Sequence, residues 1–264
     1  MSFFSATNIA AGYGRQNIVE NISLQIERGT LTGIVGANGS GKTTLLKALC
    51  GILPHRGSCV LDGEELERLS PRKLAGLCSY IPQRSGITID ISVMDVVLMG
   101  FNPRLGLLEH PTDAMKESAC IAIEKVGLSG KEHTNYLHLS EGQKQLCILA
   151  RTLVSDSKLL LLDEPESALD FRFRYQMLAL LREWVAEHGT CAAVALHDPT
   201  LAMNYCDELL VLHEGGTLGV LCPGKDSLDK MERMLSMVYG SISLQRCTNR
   251  SGRPYLVMLK EDDV

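Results

Sequence analysis

A glycine-rich segment that ends in a lysine and two threonines carries the clearest chemistry in this sequence. Residues 36–44, GANGSGKTT, match the phosphate-binding pattern G-x-x-x-x-G-K-[ST] at every fixed position. Backbone N–H groups of such a loop can approach a polyphosphate closely because glycine has no Cβ, and the N-terminus of the following helix adds partial positive charge. We expect Lys42 to reach the β- and γ-phosphates and the Thr43 hydroxyl to ligate Mg²⁺. The alternative is an ordinary glycine-rich turn with a solvated lysine.

The elements predicted on either side of this loop are those that the motif requires. Residues 31–35 form a short apolar run typical of a buried strand, and residues 44–50 carry the leucines of an apolar helix that Gly51 closes. A strand, a glycine loop and a helix therefore follow one another, which predicts a nucleoside triphosphate site. The loop residues assigned to the nucleotide are Gly36, Asn38, Gly39, Ser40, Gly41, Lys42, Thr43 and Thr44.

Two carboxylates follow an unbroken apolar run at residues 159–162, which suits a central parallel strand covered on both faces. Asp163 is placed to hold Mg²⁺ directly or through water, because hard cations prefer oxygen ligands. Glu164 is expected beside the γ-phosphate, where a carboxylate can orient or deprotonate the attacking water. His197 follows the next buried strand, at residues 191–196, and could hydrogen-bond the γ-phosphate. For each carboxylate the alternative is a surface acid at a strand end.

The order of elements predicts an α/β fold, in which a P-loop NTPase core of mixed, largely parallel sheet is packed with helices. An antiparallel β region is expected at the N-terminal end. Helical periodicity replaces strand alternation over about residues 92–150, which predicts a helical subdomain inserted in the core. We expect a single domain over residues 1–264, whose C-terminal helix and strands occupy residues 223–264.

Local patterns place the remaining elements. Further strands are predicted at residues 3–11 and 22–26, in a run that ends at 61, at 77–81, 208–212 and 219–222, and on both sides of 249–252. Further helices are predicted at residues 93–99, 114–126, 141–154, 172–188 and 228–238. Ser140 is a candidate N-cap, and Gln143, three residues later, completes a capping-box pattern.

Composition restricts the classes of function. The chain has 264 residues, of which 45% are apolar and 22% charged, as is ordinary for a globular domain. Its net charge of −5 provides no basic field, so nucleic acid is not expected as a partner. Nine cysteines without a C-x-x-C pair argue against a disulfide framework and predict buried small hydrophobes in a reducing interior. Residues 1–11 do not resemble a signal peptide, and no run reaches roughly 20 apolar residues, so a partner is expected to supply any membrane spans.

Several motifs together resemble those of the ATP-binding cassette (ABC) ATPases. Residues 139–143, LSEGQ, resemble the signature motif of that family, which is usually LSGGQ, and they precede LLLLDEP by about the expected interval. Gln83 resembles the glutamine of the Q-loop, and residues 167–170, SALD, resemble the D-loop. His197 is similar to the switch histidine, and Tyr13 matches the aromatic residue that stacks on adenine. The resemblance covers nearly the whole chain.

The resemblance implies a mechanism with two copies of the chain. Two cassettes dimerise head to tail, and each ATP lies between the phosphate loop of one subunit and the signature motif of the other. Ser140 would then contact the γ-phosphate held by the partner, although it could equally be a plain N-cap. Gln83 would sense Mg²⁺ and link the site to the helical subdomain. The further residues that the resemblance assigns to the nucleotide are Gly142, Gln143 and Asp170.

Three positions depart from the usual family pattern. Glu141 replaces the first glycine of LSGGQ, and Leu146 stands where an arginine is common. Glu166 replaces the threonine that usually follows DEP and adds negative charge near the site. A glutamate in the first turn of a helix suits the helix dipole, so we expect Glu141 to be tolerated.

The resemblance also suggests the kind of ABC protein. Residues 97–106 resemble the V-x-x-G-R-x-P-x-L-G segment of the ATPases of importers for iron chelates, haem and cobalamin. A lone cassette of this kind implies a peripheral subunit on the cytoplasmic face of the cell membrane, bound to a separate permease and indirectly to a substrate-binding protein. The alternatives are a cassette of another import system, a cytosolic cluster-assembly ATPase and a simple P-loop kinase.

Overall fold

The computed structural model describes residues 2–106 and 108–261, so residues 1, 107 and 262–264 of the predicted domain lie outside the described residues. Its strands are β1 (Phe4–Tyr13), β2 (Gln16–Ile26), β3 (Leu31–Gly36), β4 (His55–Leu61), β5 (Glu64–Glu65), β6 (Cys78–Ile81), β7 (Leu159–Asp163), β8 (Cys191–Ala195), β9 (Glu208–His213), β10 (Gly216–Leu221), β11 (Ile242–Thr248) and β12 (Pro254–Lys260). Its α-helices are α1 (Lys42–Leu49), α2 (Pro71–Leu77), α3 (Val93–Leu98), α4 (Asp113–Lys125), α5 (Glu141–Leu153), α6 (Phe171–His188), α7 (Pro199–Tyr205) and α8 (Leu228–Tyr239).

The main sheet has six strands in the order β10-β9-β3-β8-β7-β6. β3 pairs in parallel with β8 and β9, and β7 pairs in parallel with β6 and β8. β10 lies at one edge and is antiparallel to its neighbour β9. The prediction of a mixed, largely parallel sheet is therefore confirmed.

The central strands β3, β7 and β8 are buried at every position, which explains why their sequences are apolar runs without alternation. Along β7, Leu160 and Leu162 belong to one hydrophobic core, whereas Leu159 and Leu161 belong to the other. Side chains along a strand point alternately to opposite faces, so each face of the sheet has its own core. This double cover fixes the carboxyl ends of the three strands, where the predicted site residues begin.

The N-terminal strands form a separate antiparallel sheet in the order β2-β1-β4-β5. Its residues Ile9 and Ile22 share a core with Leu45 and Leu46 of α1 and with alternate residues of the main sheet, including Leu161 of β7. The helix that follows the phosphate loop is thus held between the two sheets. The prediction of an N-terminal antiparallel region is confirmed.

Helices dominate the segment between β6 and β7. Residues Val97 of α3, Ile123 of α4 and Ile148 of α5 belong to one core cluster, which also contains Leu160 of β7. The predicted helices are therefore present, while the assignment of residues 92–150 to a distinct subdomain stays a prediction. No helix among the described residues combines the length and the apolar character that crossing a membrane requires.

Several predicted boundaries differ from the structure, among them the start of β2 at Gln16 rather than at residue 22, and two of them differ for a local reason. The second strand of the hairpin starts at Gly216 rather than at residue 219, because Glu214 and Gly215 form the whole turn, with φ angles of 47° and 77°. A two-residue turn with positive φ at both positions lets Gly216 pair with His213 directly. α1 starts at Lys42 rather than at residue 44, because Gly41, with φ 98°, already ends the loop.

Helix α7 was not predicted from the sequence. Asp198 caps it, since its Oδ1 accepts hydrogen bonds from the backbone N–H groups of Thr200 at 2.8 Å and Leu201 at 3.3 Å. Pro199 stands in its first turn, where a missing N–H leaves nothing unpaired. The Asp-Pro pair was the available signal, but a helix of seven residues is too short for periodicity to reveal.

Candidate functional site

The predicted phosphate loop, both carboxylates and the histidine all follow parallel strands of the main sheet. The loop begins where β3 ends, Asp163 and Glu164 stand at the end of β7, and His197 follows β8. These three strands are neighbours in the order β3-β8-β7, so their carboxyl ends meet at one edge. Ligands of open parallel sheets bind at this edge.

Two glycines of the loop are required by close contacts. A Cβ on Gly36 would lie 2.5 Å from Ser40 Oγ and 2.7 Å from the carbonyl oxygen of Leu212. A Cβ on Gly41 would lie 2.4 Å from Cγ1 of Val19, and its φ of 98° disfavours any other residue. The Ser40 hydroxyl is buried and has no hydrogen-bond partner among the described residues. Such an orphaned polar group fits a loop whose partner is an anionic ligand.

Lys42 is buried inside this loop, with 5% of its surface exposed. Its Nζ donates hydrogen bonds to the carbonyl oxygens of Gly36 at 2.9 Å and Ala37 at 3.3 Å. Oε1 of Glu164 lies 4.0 Å from the same nitrogen. Burial lowers the pKa of Lys42, and the negative charges of Glu164, Asp163 and Glu166 act in the opposite direction. Phosphate oxygens at this position would restore the interactions that the ammonium loses with water.

The predicted metal ligands Thr43 and Asp163 are in direct contact. Thr43 Oγ1 donates a hydrogen bond to Asp163 Oδ1 at 2.9 Å, and the Tyr80 hydroxyl donates to Asp163 Oδ2 at 3.1 Å. A hydroxyl and a carboxylate at the edge of a phosphate site form the oxygen donor set that Mg²⁺ prefers, so these residues fit the ion. Gln83, also predicted as a metal residue, donates instead to Glu164, and its metal role stays a prediction.

Glu164 is held by two side chains and by an unusual backbone conformation. Its Oε2 accepts a hydrogen bond from Gln83 Nε2 at 2.8 Å and lies 2.6 Å from His197 Nε2. Its φ is 49°, in the left-handed region, which costs about 1–3 kcal/mol for a residue other than glycine. The Glu164 N–H donates to the carbonyl oxygen of Ala195 at 3.1 Å, which fixes this conformation. The structure therefore brings Gln83, Glu164 and His197 together as one hydrogen-bonded group.

Glu166 has a structural position that the sequence did not indicate. Its side chain is buried, and its Oε1 accepts a hydrogen bond from the backbone N–H of His197 at 3.0 Å. Its Oε2 is buried without a partner among the described residues. Burial raises the pKa of Glu166, and the bond from His197 opposes that shift. An acid in place of the usual threonine thus holds the turn that carries the predicted switch histidine.

Tyr239 is a second contact that sequence reasoning missed. Its hydroxyl, at the end of α8, accepts a hydrogen bond from the Gly36 N–H at 3.1 Å. Burial raises the pKa of Tyr239 to about 12, so the hydroxyl stays neutral at physiological pH. The two residues are 203 positions apart, and the sequence holds no local signal for their contact.

The other predicted nucleotide residues lie in different surroundings. Tyr13 is 54% exposed and lines a depression of about 410 Å³ with Asn17 and His55. Ser140 accepts a hydrogen bond from the Gln143 N–H at 3.3 Å, while Gln143 Oε1 accepts one from the Ser140 N–H at 3.2 Å, so the predicted capping box is present. Both capping-box hydrogen bonds therefore join residues at the start of α5 and reach no other segment of the described chain.

The remaining two residues connect neighbouring segments. Asp170 caps α6, since its Oδ1 accepts from the Phe173 N–H at 3.0 Å. A Cβ on Gly142 would lie 3.2 Å from the carbonyl oxygen of Ala168, so α5 approaches the segment before α6 closely at this glycine. A nucleotide role for Ser140, Gly142, Gln143 and Asp170 stays a prediction that depends on a second subunit.

This chain is similar to known proteins in sequence and in fold. A family model described as ABC transporter matches residues 19–167. The hemin import ATP-binding protein HmuV of Pseudomonas fluorescens (strain Pf0-1) is 37% identical over 259 residues, which cover 96% of this chain and 98% of HmuV. YvrA of Bacillus subtilis (strain 168), named as an uncharacterized ABC transporter ATP-binding protein, is 32% identical over 260 residues. This chain spans 58% of the length of YvrA.

A solved structure is similar over almost the whole chain. It belongs to a protein assigned to the metal-chelate type of ABC transporter and shows an inward-facing conformation. The likeness covers 99% of both chains with a TM-score of 0.82 at 23% identity. At this level of identity the likeness shows the fold.

The contact of Glu166 with His197 leads to a testable expectation. Glu166→Gln keeps a side-chain oxygen that can accept from the His197 N–H, so ATP hydrolysis should stay close to that of the wild type. Glu166→Ala leaves that N–H without its partner, at up to about 1–3 kcal/mol, which is at most roughly a 5- to 150-fold loss if the whole effect reaches the histidine. Steady-state hydrolysis by both variants, with thermal denaturation to verify folding, measures this. Equal activity of the two variants would contradict a positioning role.

Proposed function

We propose that this chain, which belongs to the ABC transporter family, is the ATP-hydrolysing subunit that powers a membrane importer. The observation that carries the proposal is the group of Lys42, Thr43, Asp163, Glu164 and His197 at one edge of the main sheet. It combines a buried cation and oxygen ligands for a polyphosphate with a carboxylate and a histidine for the attack of water.

In the proposed bound state, backbone N–H groups of the phosphate loop and the N-terminus of α1 hold the phosphates. The Lys42 ammonium exchanges its carbonyl partners for oxygens of the β- and γ-phosphates. Thr43 and Asp163 would hold Mg²⁺, which neutralises part of the phosphate charge when it is bound. The exposed ring of Tyr13 offers a stacking surface for adenine.

The proposed hydrolysis step requires a rearrangement around Glu164. In the described arrangement, Gln83 and His197 occupy its Oε2. To orient or deprotonate a water, this oxygen must release at least one of these partners, and His197 is then free to donate to the γ-phosphate. The bond between Glu166 and the His197 backbone keeps the histidine within reach during that exchange.

A second copy of the chain completes the proposed site. Ser140 and the N-terminus of α5 would face the γ-phosphate bound by the other subunit, as the resemblance to the family implies. The exposed start of α5 supports this. N–H groups of its first turn that the capping box does not use are available to an anion. Gly142, Gln143 and Asp170 would lie at the same interface.

The proposed cargo is an iron chelate, haem or a cobalamin-type compound. Its support is the segment at residues 97–106 together with the name of the relative HmuV, a hemin import protein. A permease would bind the chain at the cytoplasmic face of the cell membrane, and a substrate-binding protein would act through that permease. A cytosolic assembly ATPase is not favoured, because the relatives reported above are named for ABC transport.

The permease contact is proposed around residues 102–104. Pro103 lines two depressions of about 410 and 300 Å³. Its carbonyl oxygen accepts a hydrogen bond from Arg72 Nε at 3.1 Å, and Arg104 Nη2 donates to the carbonyl oxygen of Ser155 at 2.6 Å. Two hydrogen bonds therefore hold this segment in place beside the two depressions, and the segment of Gln83 and Arg84 is proposed to contribute to the same permease contact.

Affinity purification from detergent-solubilised membranes tests the importer assignment. We expect the wild type to co-purify with a polytopic permease. Arg84→Glu reverses an exposed charge in a segment proposed to contact the permease and should reduce co-purification while basal ATP hydrolysis is unchanged. The matched control Arg250→Glu, at an exposed turn between β11 and β12, should behave as the wild type. A soluble partner without any permease would contradict the assignment, and equal recovery for Arg84→Glu would contradict the contact.

Removal of the proposed base tests the dimer mechanism. Glu164→Gln keeps the shape of the side chain but removes the base, whose loss typically slows a reaction by about 10²–10⁴. ATP binding should survive, so this variant should accumulate as an ATP-dependent dimer that light scattering detects. Hydrolysis at the wild-type rate would exclude Glu164 as the base, and a monomer at saturating ATP would contradict the dimer mechanism.

The same assay locates the interface. Adding Ser140→Arg to Glu164→Gln should abolish the dimer, because a bulky side chain blocks the start of α5. Ser227 is a matched control, since it is also an exposed serine that caps a helix, through the Lys230 N–H. Each substitution loses a cap worth about 0.5–2 kcal/mol, so a difference between them reports the interface. Dimers that form equally well with Ser140→Arg and Ser227→Arg would contradict this placement.

A further inference from the structure

A histidine, a cysteine and a glutamate converge in the N-terminal sheet, where the histidine, His55, also lines the depression beside Tyr13. His55 and Cys59 stand on β4, and Glu67 lies in the short 3-10 turn Leu66–Arg68 after β5. His55 Nε2 is 3.1 Å from Glu67 Oε1 and 3.9 Å from Cys59 Sγ. All three potential ligand atoms lie within 4.8 Å of one another.

The backbone of β4 is irregular between the two ligands that it carries. The pairing of β1 with β4 shifts register there, and Gly57 has a φ of 98°. A Cβ on Gly57 would lie 2.5 Å from the carbonyl oxygen of Thr7, so glycine is required. Irregularities of this kind change the direction in which side chains point. Here the irregularity lies between His55 and Cys59, whose ligand atoms come close together.

The protein backbone itself positions the glutamate. Glu67 Oε1 accepts a hydrogen bond from the Cys59 N–H at 2.6 Å, which fixes the carboxylate over β4. The Cys59 side chain is buried, whereas the His55 and Glu67 side chains are 10% and 33% exposed. An ion could therefore enter from the solvent side and meet the thiol last. Among the described residues, no lysine or arginine forms a salt bridge with Glu67.

The two distances from His55 Nε2 are close to those of a tetrahedral zinc site, and the ligand atoms of Cys59 and Glu67 lie within 4.8 Å of each other. Bonds of about 2.3 Å to sulfur and 2.0–2.2 Å to nitrogen and oxygen place N and O ligands ~3.4 Å apart and S and N ligands ~3.6 Å apart. The observed 3.1 and 3.9 Å differ from those values by only a few tenths of an ångström. A hydrogen bond between His55 and Glu67 alone would explain the 3.1 Å distance. It would not require Cys59 Sγ to lie close to both side chains.

We propose that His55, Cys59 and Glu67 bind Zn²⁺ as three protein ligands, with the fourth position open to water. Nitrogen, thiolate and carboxylate together suit this borderline cation, whereas the oxygen ligands at Thr43 and Asp163 suit Mg²⁺. On binding, the Cys59 S–H bond breaks and the proton passes to solvent, while the ion exchanges water for sulfur. Burial raises the pKa of Cys59 to about 12, so the ion itself must stabilise the thiolate. This site is additional to the proposed ATPase function.

Cobalt substitution tests the proposal on the untagged, reduced and metal-free chain. We expect Co²⁺ to produce a thiolate-to-cobalt charge-transfer band that saturates at about one equivalent and disappears when Zn²⁺ is added. Cys59→Ser should lose the band. Cys50→Ser is the matched control, because Cys50 is also a buried cysteine whose pKa is raised, to about 11, and it should keep the band. Lys42→Ala should keep it too, since Lys42 is not one of the proposed ligands and does not line the depression of His55.

Glu67→Gln provides a second variant that does not depend on the buried thiol. It keeps an oxygen that can accept from the Cys59 N–H, so the local fold should survive, but it removes the anionic ligand. Zn²⁺ affinity should fall by more than the roughly 10–100-fold typical of residues outside the ligand shell. Absence of the cobalt band in the wild type, its persistence in Cys59→Ser or its loss in Cys50→Ser would overturn the proposal. Unchanged Zn²⁺ affinity of Glu67→Gln would overturn it as well.

Discussion

The ammonium of Lys42 is buried among carbonyl and carboxylate oxygens at the ends of parallel strands, and the rest of the site depends on this placement. Removing a cation from water is unfavourable unless other charges and hydrogen bonds replace the water. Two loop carbonyls and Glu164 at 4.0 Å provide part of that replacement. A bound polyphosphate would provide the remainder. The loop is thus arranged to receive an anionic ligand.

The main sheet makes this unfavourable arrangement tolerable. β3, β7 and β8 are buried on both faces, so the segments that follow these strands have little conformational freedom. Glu164 stays in its left-handed conformation because Ala195 accepts its N–H and Ser167 donates to its carbonyl oxygen. Glu166 is also buried there, and its Oε2 has no hydrogen-bond partner among the described residues. Hydrophobic burial in two cores stabilises the fold, and the site uses part of that stability to hold strained and desolvated groups.

The sequence predicts the parts of the site that are local and fails for those that depend on packing. The loop of residues 36–44 and the capping box of Ser140 are recognisable because their chemistry lies within a few consecutive residues. The contact of Tyr80 with Asp163 follows from the pairing of β6 with β7, a register that no local pattern reveals. The bonds of Glu166 to the His197 backbone and of Gly36 to Tyr239 join distant segments in the same way. Boundaries failed where two residues made a complete turn, as at Glu214 and Gly215.

The free energy of unfolding in the presence of a non-hydrolysable ATP analogue tests the central claim most directly. A ligand that binds only the folded state at 100 times its Kd stabilises that state by about 2.7 kcal/mol. The wild type should gain about this much with Mg²⁺ and clearly less after the ion is chelated. Lys42→Ala should gain little at the same concentration, because the buried cation that the phosphates require is gone. Stabilisation that is absent in the wild type, or equal in the wild type and Lys42→Ala, would contradict the account.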